Sequence, residues 1–215
     1  MNDQDSSNSE GSSLRRQPKQ NRSVETRNNI IEAAGQLFSE QGYENTTTHH
    51  VAARANVSVG ALYRYFSDKE AILRELYQRE MSQLRDRILE EFADIDVGEL
   101  DVRATVREAL GRAFNIFSER VQLRRVLGEA SRKVTELAEI RRNQEEQVYQ
   151  SVGNILAAVP EVELEDAETG GYLIALFCES VLEDFLLFRQ ESGKLDRERV
   201  LDETTEVIVR YLRLK

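Results

Sequence analysis

TTTHHVAARANVSVGALYRYF, residues 46–66, reads as two short helices joined by a tight turn. Thr47 is placed to cap the first helix with its hydroxyl. Val51, Ala52 and Ala55 then form one apolar stripe along barely two turns. Asn56 stands where the chain must reverse, and Asn tolerates the left-handed backbone that such a corner needs. Val57 is positioned to fill the angle between the helices, and Ser58 to cap the second. In that second helix Leu62 and Phe66 form the inward pair. Gly60, Ala61 and Arg64 point away, flanked by Tyr63 and Tyr65. Small residues near the start of a helix allow close approach to base edges, while hydroxyls and cations further along hold phosphates. The segment therefore reads as a helix-turn-helix with a DNA-docking face.

On the N-terminal side, Ile30, Ile31, Ala34, Leu37 and Phe38 recur at helical spacing, so a helix is expected from about Val24 to Gln41, with Gly42 as its C′ residue. It covers the back of the motif, and Tyr43 closes a small core with Val51, Leu62 and Phe66. On the C-terminal side, Ser67 or Asp68 caps a long helix to about Phe92. Its stripe is Ile72, Leu73, Leu76, Tyr77, Met81, Leu84, Ile88 and Leu89. Such a helix begins in one half of the chain and ends in the other, which makes it the expected lever between them.

From Thr26 to Leu73, TRNNIIEAAGQLFSEQGYENTT leading into VAARANVSVGALYRYFSDKEAIL resembles the N-terminal domain of the tetracycline-repressor (TetR/AcrR) family. LYRYF followed by Lys69 is the most specific part. The resemblance implies an all-α homodimer that binds a double-stranded DNA operator and usually leaves it when a small ligand enters the C-terminal domain. It implies DNA contacts at Thr47, Thr48 and His49 from the first motif helix. From the second helix and just beyond, it implies Ser58, Val59, Ala61, Tyr63, Tyr65 and Lys69; Gly60 and Arg64 share that outward face. Three positions depart from the family's pattern. Asn56 replaces the usual Gly, Ala61 the usual Thr or Ser, and Val59 a longer polar residue. The last two can offer thymine methyl contacts but no hydrogen-bond readout.

The chain has 215 residues, 40% hydrophobic, with 11 Gly and only 2 Pro, which suits a helix-rich protein. The single Cys178 lies in an apolar run, so it can form no intramolecular disulfide and reads as core packing in an intracellular protein. No stretch reaches 18 uninterrupted apolar residues, and the first thirty are polar; neither a membrane span nor a secretory signal is expected. A cytoplasmic, nucleoid-associated protein follows. The net charge of −10 is uneven: Arg15–Lys69 holds 8 Lys and Arg against 5 Asp and Glu, whereas Glu70–Lys215 holds 21 against 31. Basic charge is thus concentrated around the motif.

No glycine-rich phosphate loop, Cys-based metal spacing or nucleophile with a nearby base is present, so neither an enzyme nor a cofactor is expected. His49 and His50 are adjacent and diverge by about 100° on a helix, a poor metal pair.

The expected organisation is a tail over 1–22, a helix-turn-helix domain over 23–70, and a helical ligand-binding and dimerisation domain over 71–215. In the tail, Arg15, Arg16, Lys19 and Arg22 read equally well as an arm reaching a DNA groove or as a solubilising segment. After a break at Asp94–Asp101, helices are expected over about 102–118, 121–132 and 134–158, then a loop to Asp166. A helix over 168–190 is apolar round nearly its whole circumference and should be buried on two sides. With an amphipathic helix over about 197–214, it would pair with its symmetry mate in a four-helix dimer interface. Phe114, Phe117, Tyr149, Tyr172 and Phe177 are the expected effector-binding residues, for a small hydrophobic or aromatic molecule. Glu179, Glu183 and Asp184 interrupt the apolar helix, either to meet a cationic ligand or as a solvated rim. The reading is a ligand-responsive DNA-binding repressor. The alternative is a helical dimer that regulates through protein partners with weak DNA readout of its own.

Overall fold

The computed structural model describes residues 13–93, 101–132, 134–189, 193 and 195–213. All regular structure among them is helical. Residues 1–12 of the tail expected over 1–22, and most of the break at 94–101, lie outside the described residues. The described chain divides between Leu76 and Tyr77 into two compact units.

The first unit holds α1 (Ser13–Gln41), α2 (Thr48–Arg54), α3 (Val59–Leu62) and the start of α4 (Lys69–Ala93). Helix α1 begins at Ser13 and not at Val24, so the basic run Arg15–Arg22 is helical. Periodicity could not reveal this, because the stretch before Val24 carries no apolar stripe, and Pro18 argues against a helix. The core comprises Ile30, Ile31, Ala34, Leu37 and Phe38 of α1, Val51 and Ala52 of α2, Leu62, Phe66, and Ile72, Leu73 and Leu76 of α4. Tyr43 packs edge-on to Phe38 with ring centroids 5.2 Å apart. Gly42 ends α1 at φ 83°, a left-handed conformation that a side chain would strain. Asp68 rather than Ser67 caps α4, accepting from the Ala71 N–H at 2.7 Å.

The second unit holds the rest of α4 with α5 (Val102–Ser118), α6 (Val121–Ser131), α7 (Thr135–Ala158), α8 (Ala167–Asp184) and α9 (Arg197–Tyr211). Asp101, Asp166 and Asp196 cap α5, α8 and α9 through backbone N–H groups at 3.0–3.1 Å. Helix α8 continues as a π-helical turn over Phe185–Arg189. A core of Leu110, Phe114, Leu156, Leu182, Phe185, Leu201, Ile208 and Leu212 joins α5, α7, α8 and α9.

Two glycines set the α7–α8 crossing. A Cβ on Gly171 would lie 2.4 Å from the Gly153 nitrogen and 2.7 Å from the Tyr149 carbonyl oxygen, so the two backbones touch directly. Within the single chain, helix α8 is buried on one side. Tyr172, Leu173 and Phe177 are exposed, as are Phe188 beyond it and Val207 and Tyr211 on α9. Its apolar circumference is covered by this chain on one side only.

Candidate nucleic-acid interface and effector cavity

The motif is built by its capping residues. Thr47 is extended at φ −114° and its hydroxyl accepts from the His50 N–H at 3.2 Å, which starts α2. Asn56 sits at φ 54°, and Val57 N–H returns to the Ala52 carbonyl at 2.9 Å, closing the corner. Ser58 accepts from the Ala61 N–H at 3.1 Å and starts α3. That helix ends sooner than the inward pair Leu62–Phe66 suggested. After Leu62 the chain winds through i→i+3 bonds, Arg64 N–H to Ala61 and Tyr65 N–H to Leu62, yet Phe66 still reaches the core.

The side chains proposed for DNA fall into three groups. Thr47, His49, Ser58, Gly60, Tyr63 and Arg64 are exposed. Thr48 and Tyr63 share a hydroxyl–hydroxyl bond of 3.1 Å that ties α2 to the end of the second helix. Val59, Ala61, Tyr65 and Lys69 are half-buried, and the Tyr65 hydroxyl accepts from the Ser23 hydroxyl at 3.3 Å. Lys69 has an internal role that its sequence position did not disclose. Its ammonium donates to the Tyr43 carbonyl at 2.8 Å and lies 4.1 Å from the centre of the Tyr43 ring. It thus fastens the loop entering α2 to the start of α4, with donor capacity to spare.

The second unit holds a cavity of about 210 Å³, bounded by α4, α5, α7, α8 and α9. It follows α4 from Met81 to Phe92 and α7 from Arg141 to Val159, and its walls are mainly aliphatic, including Leu84, Ile88, Val106, Val152, Ile155 and Ile174. Of the five aromatic residues expected there, Phe117 and Tyr149 line it. The other three lie elsewhere. Phe114 is buried in the core against Phe185, with centroids 5.7 Å apart, and carries the Arg197 guanidinium over its face. Tyr172 and Phe177 are exposed on α8, Tyr172 edge-on to Tyr149 at 5.1 Å. Faces could not be assigned on a helix that is apolar all round.

Sequence reasoning also missed a polar cluster at one end of the cavity. Arg141 bonds Glu145 through Nε and Glu179 through a terminal nitrogen at 3.1 Å. Arg85 bonds Asp86 and the Gln144 side-chain oxygen. Beside the Glu179 that interrupts the apolar helix, the sequence signal was charge at inward helical spacing: Arg141, Gln144, Glu145 and Val148 fall on one face of α7. Burial, reinforced by the nearby Glu145 carboxylate, pushes Glu179 up to about 7 even though Arg141 opposes it. Burial likewise pushes the Cys178 thiol up to about 12, so it forms part of the apolar wall. Among the described residues no group of three or more potential ligands could hold a metal ion, and no helix is long and apolar enough to cross a membrane.

Residues 30–76 match the model for bacterial regulatory proteins of the tetR family. The HTH-type transcriptional regulator HbdR of an Aromatoleum species is 55% identical over 49 residues, 23% of this chain and 21% of that protein. The aligned part is therefore well under two thirds of that relative. A solved bacterial regulatory protein in the tetR family from Rhodococcus aligns over 88% of this chain and 98% of its own, with TM-score 0.66 and 19% identity. The fatty acid degradation regulator FadR from Bacillus halodurans aligns over 88% of this chain and 97% of its own, at TM-score 0.65 and 22% identity. At these identities the likeness to the solved structures is one of fold.

Proposed function

Because the chain belongs to the TetR/AcrR family of bacterial regulatory proteins, whose members are regulators and not enzymes, we propose that it is a DNA-binding transcriptional regulator. In this reading it acts as a homodimer, represses from an operator, and is released by a small hydrophobic effector. The observation that carries it is the pairing of a helix-turn-helix, whose polar groups face outward around Thr48 and Tyr63, with a largely apolar cavity in the other unit. Residues 23–70 form the DNA-binding part and 71–215 the effector-binding and dimerisation part.

In the proposed docking, Gly60 and Ala61 allow α3 close to the base edges, and Val59 and Ala61 offer methyl groups to thymine. The hydroxyls of Thr47, Thr48, Ser58, Tyr63 and Tyr65 and the cations of Arg64 and Lys69 hold phosphates on either side; His49 serves either role. Gel-shift titration with DNA beside the protein's own gene tests the reading. Absence of any preferred site would favour regulation through protein partners instead. Lys69→Ala should weaken all sequences alike and lower the slope of log affinity against log salt by about one unit. Because Lys69 also fastens Tyr43, the variant's melting is measured beside its binding. Unchanged affinity and salt slope would remove Lys69 from the contact set.

The aliphatic walls favour a chain-like effector over a flat one. Such a ligand acts on DNA only through its differential affinity for the free and bound forms. Titrations with and without operator should therefore show ligand and operator weakening each other by the same factor. Equal ligand affinity in both states would refute the allosteric part, however tight the binding.

A further inference from the structure

We infer that the polar end of the cavity selects a positively charged head on an aliphatic chain, with the head seated at Glu179 between α7 and α8. This rests on the cavity's being the effector site. Three observations carry it.

The first is the count of charge facing that end. Arg85 is committed to Asp86 and Gln144, and Arg141 is shared by Glu145 and Glu179. Glu183, one turn along α8, adds a further carboxylate beside them at the neighbouring smaller cavity. An anionic head would thus meet guanidinium groups already occupied by carboxylates. A cationic head meets Glu179, whose 3.1 Å bond to Arg141 goes to a guanidinium that also serves Glu145. The second is the environment of that carboxylate. Its side chain is only 21% exposed and borders both cavities, and burial together with the Glu145 carboxylate pushes it up to about 7 against the pull of Arg141. The third is the aromatic rings. Tyr149 and Phe117 line the same cavity; the Arg124 guanidinium already lies 5.6 Å from the Phe117 ring centre, which leaves Tyr149 as the ring to meet a desolvated cation.

The groups facing Glu179 are Arg141, Glu145 and Tyr149 on α7, Tyr77 and Arg85 on α4, Arg124 on α6 and Glu183 on its own helix. Arg124 is the remaining cation. Its terminal nitrogen is already bound to the backbone carbonyls of Ile116, Phe117 and Glu119. A cation arriving at Glu179 stabilises the carboxylate form, so binding should expel a proton near neutral pH and tighten as pH rises from about 6 to 8.

The test uses the full chain and three probes of equal chain length below their micelle-forming concentrations: dodecylammonium, dodecanol and dodecanoate. Calorimetric titration at pH 7 in two buffers of different ionisation enthalpy reads affinity and proton exchange together. The expected result is that dodecylammonium binds at least about tenfold more tightly than dodecanol and releases protons, with dodecanoate weakest. Glu179→Gln should bring dodecylammonium to the level of dodecanol and abolish proton release. Tightest binding of dodecanoate, or proton uptake, would overturn the inference; the proton count is read on the unaltered protein and does not depend on the variant folding. Equal affinity for all three would overturn the head-group assignment while leaving the cavity as the site for a chain. No binding of any probe would overturn the cavity reading, and the inference with it.

Discussion

Gly171→Ala is expected to lower the melting temperature of the second unit by roughly 10 °C or more. The added Cβ would lie 2.4 Å from the Gly153 nitrogen, 2.6 Å from the Gly153 Cα and 2.7 Å from the Tyr149 carbonyl oxygen. All three are backbone atoms of α7, so no side chain can swing aside and the helices themselves must separate. Overpacking a core costs about 1–3 kcal/mol when side chains can adjust. Backbone against backbone should reach or exceed about 3 kcal/mol, which gives the expected shift for a unit of this size. Gly153→Ala offers a graded comparison on the same seam, because its Cβ would meet the Ala167 carbonyl oxygen at 3.0 Å and the Glu168 Cα at 3.2 Å. It should destabilise less. Circular dichroism melts of the two variants decide the matter, and a wild-type melt for Gly171→Ala would mean that α7 and α8 do not approach as closely as this.

That seam also explains which parts of the molecule were legible beforehand. Thr47, Asn56, Ser58 and Gly42 act within four residues of themselves, by capping or by accepting a left-handed φ, so local chemistry identified each correctly. The boundaries of α5, α6 and α7 were also legible, to within a residue. The effector cavity was not. Which of Tyr149, Tyr172 and Phe177 faces inward depends on the rotation of α8 against α7, and that rotation is set by two glycines whose significance appears only when they meet. An apolar residue on every face gives periodicity nothing to choose between. Lys69 shows the complementary limit. Its place after LYRYF suggested an outward role, whereas its bond to the Tyr43 carbonyl joins residues that are distant in sequence.

Val207→Asp is expected to convert the proposed dimer to monomers while leaving the fold of each chain intact. Val207 is 51% exposed on α9, beside α8 with its exposed Tyr172, Leu173 and Phe177. Apolar side chains on two packed helices form a surface of the kind that a second copy would cover. In a monomer a charge at Val207 stays in water and costs within about 0.5 kcal/mol. In a two-fold interface it is desolvated, and the symmetry brings in two such charges; at about 2–3 kcal/mol each, the dissociation constant should rise on the order of a thousandfold or more. Phe185→Asp is the contrasting variant. Phe185 is only 4% exposed and packs on Phe114, so its loss should unfold the unit rather than split a dimer. Sedimentation equilibrium reads the first effect and thermal melting the second. Operator binding should fall with dimerisation in Val207→Asp, since a monomer engages one half-site where the dimer engages two. A Val207→Asp protein that sedimented as a dimer and held its operator normally would show that the exposed face of α8 and α9 is not where two copies meet.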